Sequence, residues 1–375
     1  MKRSRKPAPA TQPLSRARSS TNDQSSASDG NVTIVDVARR AGVSYATVSR
    51  VINNEAYVKD ETRQRVQQAL ADLEYVANRQ ARSLRGGRTQ MIGLLVRDFD
   101  SGYIGEIIRG IDRELHEHHY DLVLYTTHGR SQQESNYVAT LMRGMVDGLL
   151  LVLPRTPEAY LAKLRQAHFP HVLIDHQGID LAGPAVGATN WHGGYDATTY
   201  LIGLGHRRIG LITGDLGLGC AVDRRAGYCD ALRAHGLALD SALIAIGDFN
   251  QSAGYKGAKE LLTLAHPPTA IFASNDMMAF GAMEAVREQG LRIPEDLSIL
   301  GFDDIPQTAG VHPPLTTVRQ PLEEMGRVAT QMLFTYLEDP HHIEERRALS
   351  TQLIIRQSCQ APPPCQTHRI DGLNK

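Results

Sequence analysis

From Thr33 the apolar residues fall at helical spacing. Ile34, Val37, Ala38 and Ala41 share one face, and Gly42 ends the run. Thr33 and Asp36 have the spacing of a capping box, with Asp in place of Glu. Ser44 can cap a second helix with Val48, Val51 and Ile52 inward. A third is predicted from about Glu61 to Leu73, with Val66, Ala69, Leu70 and Leu73 inward. Three short helices make a small all-α head. From Met91 the period changes. Short apolar runs at 91–96, 121–127, 146–153, 171–175, 208–214, 243–249, 270–276 and 297–304 read as strands. Between them, 104–119, 131–144, 193–204, 223–235, 251–264 and 277–289 read as helices. This alternation predicts right-handed βαβ units and parallel sheets. The strands are too many for one comfortable sheet, so two α/β subdomains are expected. Ligands of such sheets bind beyond the carboxyl ends of the strands. That singles out Asp98, Asp175, Asp215, Phe249, Asn275, Asp276 and Asp303.

Residues 1–30 show no such period and are rich in Ser, Pro and basic residues, the composition of a disordered basic tail. Charge sharpens the division. Residues 1–90 hold 16 Lys or Arg against 8 Asp or Glu, while the whole chain stands at −1, so residues 91–375 sum to −9. The tail supplies only the six cations before residue 20; the other ten lie in or beside the helical head. A basic head on an acidic body is the electrostatic footprint of nucleic-acid binding by the head alone. No apolar run is long enough to span a membrane, and the start lacks the apolar core of an export signal, so a cytoplasmic location and no membrane partner are expected. Cys220, Cys229, Cys359 and Cys365 form no CxxC pair, so no metal site is expected. No nucleophile elbow, Walker loop, HExxH or dinucleotide fingerprint occurs. The glycines at 214, 217 and 219 are wrongly spaced for the last of these. Neither catalytic residues nor a cofactor is therefore expected, and the clustered His116, His118 and His119 read as a solvated helix face.

Residues 34–53 form a helix, a tight turn at 41–43 and a second helix, the layout of a helix-turn-helix. In that motif the second helix enters the major groove. Tyr45 and Ala46 begin it and Arg50 follows one turn on, while Ser44, Thr47 and Asn53 suit phosphate contacts. The run TIVDVARRAGVSYATVSRVIN, then Glu61-Thr62-Arg63, then LEYVANRQARSLRGGRT (73–89) resembles the headpiece and hinge of the lactose-repressor and galactose-repressor family. The likeness continues through MIGLL, VDGLL, LIGLGHRRIGLITG, RRAGY, PTAIFASND, MAFGAMEA, LSILGFDD and LTTVRQP, over about residues 31–357. It implies that Tyr45, Ala46 and Arg50 read bases, and that 78–88 is a hinge helix formed on DNA. Leu84 matches the intercalating leucine, with Arg79 and Arg82 on the phosphate side. Alanine at 46 offers only a methyl contact, where some relatives carry a glutamine able to read adenine.

The resemblance also implies a periplasmic-binding-protein-like core with a ligand between its subdomains. On this basis Arg224 clamps the ligand, Asn275 and Asp303 are polar cleft residues, Phe249 packs on the ligand's flat face, and Tyr103 and Asp175 line the cleft. Arg224 donates, Asp303 accepts and Asn275 does both, as sugar hydroxyls require. Two positions depart from many relatives: Thr189 precedes Asn190 where an Asp is common, and Ile104 replaces the aromatic ring of the purine-responsive branch. The Pro-rich end carries no leucine heptads, so a homodimer is expected, binding a pseudo-palindromic double-stranded operator.

The expected organisation is a basic tail (1–30), a headpiece (31–77), a hinge (78–88), a core (89–357) and a flexible end (358–375). The core divides into 89–188 with 318–345, and 189–317 with 346–357. The expected function is that of a DNA-binding transcriptional regulator, a repressor of carbohydrate use released by a sugar inducer. The alternatives are a co-repressor-dependent regulator sensing a nucleobase, nucleoside or sugar phosphate, and an activator.

Overall fold

The computed structural model describes residues 32–52, 57–75, 88–98, 102–128, 130–155, 157–176, 183–341 and 346–363. Two compact units divide between residues 78 and 79.

The first unit holds α1 (Ile34–Ala41), α2 (Tyr45–Ile52) and α3 (Asp60–Asp72). The capping box forms in both directions between Thr33 and Asp36, and Gly42 adopts the left-handed conformation that ends α1. Ser44 Oγ accepts the Thr47 amide at 3.2 Å, opening α2. Val37, Ala38, Ala41, Val48, Val51, Val66 and Ala69 form the core. Arg65 donates to the Ala41 carbonyl at 2.6 Å, tying α3 to the turn.

The second unit contains two six-stranded sheets. In chain order its elements are β1 (Met91–Val96), α4 (Gly102–Glu117), β2 (Asp121–Thr126), α5 (Glu134–Leu141), β3 (Gly148–Val152), α6 (Glu158–Gln166), β4 (His171–Ile174) and β5 (Ala185–Ala188). There follow α7 (Asn190–Gly203), β6 (Ile209–Ile212), α8 (Gly219–Ala234), β7 (Ile244–Ala245), α9 (Gln251–Leu262), β8 (Ala270–Ala273), α10 (Asp276–Glu288) and β9 (Ser298–Asp303). The last are β10 (Thr316–Arg319), α11 (Leu322–Glu338), β11 (Arg346–Leu349) and β12 (Gln352–Ile354). The first sheet runs β11-β5-β4-β3-β1-β2 and the second β12-β10-β9-β8-β6-β7. Pairing is parallel except where β12 meets β10.

Each of the eight predicted runs contains a strand, although 243–249 contributes only the two residues of β7 before turning away. The α6 and α11 helices and the strands β5, β10, β11 and β12 were outside the periodic reading. The chain passes between the sheets three times, and two of the expected crossing points move. β10 pairs with β9, so residues 318–319 belong to the second sheet. β11 pairs with β5, so 346–349 belong to the first sheet, where they satisfy the open edge of β5. The first and third crossings are bonded together: the Thr351 amide donates to Thr189 Oγ1 at 3.0 Å. The expected flexible end also starts too early. Ser358 is buried, and the Gln360 carbonyl accepts from His206 Nε2 at 2.9 Å and Ser298 Oγ at 3.1 Å. Packing therefore continues to residue 360. Among the described residues no helix is long and apolar enough to cross a membrane.

Candidate ligand cleft and DNA-reading helix

The helices α7 and α8 cross at glycines. A β-carbon on Gly194 would strike the Arg224 backbone, and one on Gly227 the Trp191 carbonyl. This close approach sets Arg224, on α8, against Asn190, the first residue of α7. Arg224 Nε donates to Asn190 Oδ1 at 2.8 Å, and one terminal nitrogen donates to the Ser274 carbonyl at 2.5 Å and to Asp303 Oδ1 at 3.4 Å. The guanidinium lies 3.8 Å from the Phe302 ring centroid and is only 2% exposed. A charge so deep persists because it is paired and hydrogen-bonded.

The arginine borders a cavity of about 310 Å³ between the subdomains. All six residues expected at the effector site line it: Tyr103, Asp175, Arg224, Phe249, Asn275 and Asp303. Three of them bend the chain at or beyond strand ends, with φ of 53° at Asp175, 72° at Phe249 and 113° at Asp303. Non-glycine residues in such conformations cost about 1–3 kcal/mol each and gather at ligand sites. Tyr103 donates to Asp175 Oδ2 at 2.7 Å, and Asn190 Nδ2 to Oδ1 at 3.4 Å. Gln320 donates to Asp303 Oδ1 at 2.7 Å. Asn275 is the N-cap of α10: its Oδ1 accepts the Met278 amide at 2.9 Å while its Nδ2 donates to the Phe249 carbonyl at 3.0 Å. One amide hydrogen and one lone pair remain for a ligand.

Burial pushes Asp303 up to about 7, against the pull of Arg224 and the Gln320 hydrogen bond. Burial also raises Asp175, opposed by Arg224, Tyr103 and Asn190. Asp276 is not in the cavity wall. It lies beneath it, accepting from Thr317 Oγ1 at 2.5 Å and the Ile305 amide at 2.9 Å, and is raised by burial and by Asp303.

The walls also contain residues not assigned to the effector site: Arg97, Asp98 and Arg155 from the first subdomain, and Asn250, Gln251 and Ser252 from the second. From the sequence, Asp98 stands out only by its place beyond a strand. Arg155 follows β3 in the same way, a signal that could have found it. Asn190 and Gln320 reach Arg224 and Asp303 from the crossings between subdomains, where no strand run marks them. Cys220 lines the cavity as a buried thiol, held well above its usual range by burial. Among the described residues no cluster of metal-ligating side chains is present.

In the head, Ala46 and Arg50 are exposed on α2 and one helical turn apart, and so share a face. Ser44 is exposed, and Tyr45 and Thr47 are half-buried. Asn53, Arg79, Arg82 and Leu84 lie outside the described residues, as do residues 78–87 of the 78–88 hinge and the tail over 1–30.

Comparison with known proteins follows the same two-part layout. Residues 33–78 match the bacterial regulatory proteins of the lacI family, and 198–359 match a periplasmic binding protein-like domain. The chain is 37% identical to the ribose operon repressor of Haemophilus influenzae over 327 residues, covering 87% of this chain and 98% of that one. Among solved structures, the transcriptional regulator CelR in complex with cellobiose is 33% identical with a TM-score of 0.67, over 88% of this chain and 100% of that chain. The lac repressor dimer bound to operator and an anti-inducer is 28% identical with a TM-score of 0.79, at the same coverage. These relatives are transcription regulators, which are not enzymes.

Proposed function

The chain belongs to the lacI family of bacterial regulatory proteins and is a DNA-binding transcriptional regulator, and on that premise we propose that it is a repressor whose operator affinity is set by a sugar-like polyol in the cleft. The observation that carries the ligand class is the convergence of Tyr103, Asp175, Arg224, Asn275 and Asp303 on one cavity that also presents the Phe249 ring. Fixed donors and acceptors of both kinds, beside an aromatic face, match the alternating hydroxyls and apolar C–H surface of a polyol. Two relatives support the reading, one named for the ribose operon and one solved with cellobiose. Inducer action rather than co-repression follows the sugar class.

On the DNA side we assign base contacts to Tyr45, Ala46 and Arg50, and phosphate contacts to Ser44, Thr47, Asn53, Arg79 and Arg82. Leu84 is the wedge that opens a central base step. The reading includes a homodimer on a pseudo-palindromic operator, as in the operator-bound lac repressor dimer, and a cytoplasmic location without enzymatic activity. A thermal-shift screen of sugars, sugar phosphates and nucleosides tests the ligand class. A ligand at a hundredfold excess over its Kd stabilises the native state by about 2.7 kcal/mol. The hit should then weaken operator binding in a titration; stronger operator binding would make the same cleft a co-repressor site.

A further inference from the structure

Among the described residues lining the cleft, every arginine already holds an oxygen. Arg224 holds Asp303 in the interior. At the mouth, Arg97 Nε donates to Asp98 Oδ2 at 2.7 Å, and a terminal nitrogen donates to Asn250 Oδ1 at 2.9 Å. Arg155 donates to Asp215. Arg97 and Arg155 follow β1 and β3 of the first sheet, whereas Asp215 and Asn250 follow β6 and β7 of the second, so both mouth contacts span the cleft. Each end of the Arg155–Asp215 pair is anchored from behind. The Arg155 amide donates to both oxygens of the buried Glu134, at 3.0 and 3.2 Å. Asp215 Oδ1 accepts the Gly217 amide at 2.8 Å. Among the described residues lining the cleft, each of the three arginines is thus already engaged by an oxygen, and an anionic ligand would have to draw one of them away from its present partner.

We infer that the Arg155–Asp215 pair is a specificity gate, which closes the cleft over an uncharged polyol and rejects the phosphate ester of the same molecule. A phosphate brings about −1.5 to −2 charges. To enter, it must take Arg155 or Arg97 from the present partner and strand a carboxylate in a partly buried site, where an unpaired charge is costly. Discrimination thus comes from repulsion of the wrong ligand as well as attraction of the right one. The inference rests on the polyol reading above.

The test is calorimetry on the full chain with matched probes: ribose and ribose 5-phosphate, glucose and glucose 6-phosphate, adenosine and adenosine 5′-monophosphate. At least one uncharged member is expected to bind, with its ester about a hundredfold weaker. Asp215→Asn keeps the shape but frees Arg155, and should narrow that ratio about tenfold by strengthening the ester. Arg155→Gln removes the cation and should leave the ester rejected. Retained operator binding shows that each variant is folded. An ester that binds wild type more tightly than its uncharged partner overturns the inference. So does a ratio that falls equally in both variants, which would reflect only a looser mouth. If no member of any pair binds, the polyol reading fails and the inference falls with it.

Discussion

Asp303 shows how one side chain can serve both structure and sensing. It sits at the end of β9 with a left-handed φ of 113°, 5% exposed, accepting from Arg224 and Gln320. Burial holds its carboxyl at about 7, above the usual 3.8. A group raised on folding favours the native state most when protonated. Its contribution is therefore fully present below pH 3.8 and is lost as the pH rises through about 7. Asp303→Asn should accordingly lose less thermal stability than wild type between pH 5 and pH 8, measured as the difference in Tm. Ligand binding should run the other way. Hydroxyl donors favour the carboxylate, so effector affinity should climb by up to about tenfold per pH unit below 7 and level off above it. Titrations at pH 6 and pH 8 check this, and a flat profile would remove Asp303 from the proposed contact. Arg224→Ala leaves Asp303 and Asp175 without their nearest cation, a loss of about 3–5 kcal/mol for a buried pair with one partner removed. It should abolish the effector response while leaving operator binding, since the proposed base contacts lie on α2.

At the scale of elements, the cleft depends on how closely α7 and α8 approach. Gly227→Ala would drive a methyl into the Trp191 carbonyl. Overpacking of this kind costs about 1–3 kcal/mol, and here it should also shift Arg224 away from Asn190. The expected result is a lower Tm with a weakened effector response and unchanged operator affinity; a variant with full response would show that the crossing does not set the arginine. The sequence made much of this scale readable, and unevenly. Buried parallel strands such as β3 and β9 are continuous apolar runs, and of the seven residues singled out near strand ends Asp98, Asp175, Phe249, Asn275 and Asp303 line the cleft, whereas Asp215 and Asp276 do not. β11 is different. Its sequence Arg-Arg-Ala-Leu is mostly exposed, so no apolar period marks it, and only the open edge of β5 decides which sheet it joins. Asn190 and Gln320 were unreadable as site residues for a related reason. Their partners are 34 and 17 residues away in sequence, brought near by the crossings between sheets. Asn275 was legible as polar and beyond a strand, but its second role, capping α10, appears only in the backbone.

For the whole molecule, the question is how a ligand between two subdomains could change affinity for DNA. The subdomains are joined by three crossings, two of them bonded through Thr189 and Thr351, so they can alter their mutual angle but not separate. A ligand touching both favours one angle. If the proposed hinge helix forms only in one of those states, effector and operator compete or cooperate through a single equilibrium. Linkage then requires that the factor by which effector changes operator affinity equals the factor by which operator changes effector affinity, usually about 1–3 kcal/mol. Leu84→Ala separates the two halves of this scheme. The wedge acts only where a central step is opened, so specific operator binding should weaken far more than binding to random DNA, whose affinity comes from phosphate contacts. Effector binding to the free protein should be unaffected, because the residues assigned to the effector, Tyr103, Asp175, Arg224, Phe249, Asn275 and Asp303, all belong to the core and none to the hinge. Operator titrations of wild type and Leu84→Ala, with and without effector and against random competitor DNA, measure both quantities. Equal losses on operator and random DNA would reduce Leu84 to a linker residue, whereas a changed effector affinity in the absence of DNA would mean that the hinge already acts on the cleft before the operator is bound.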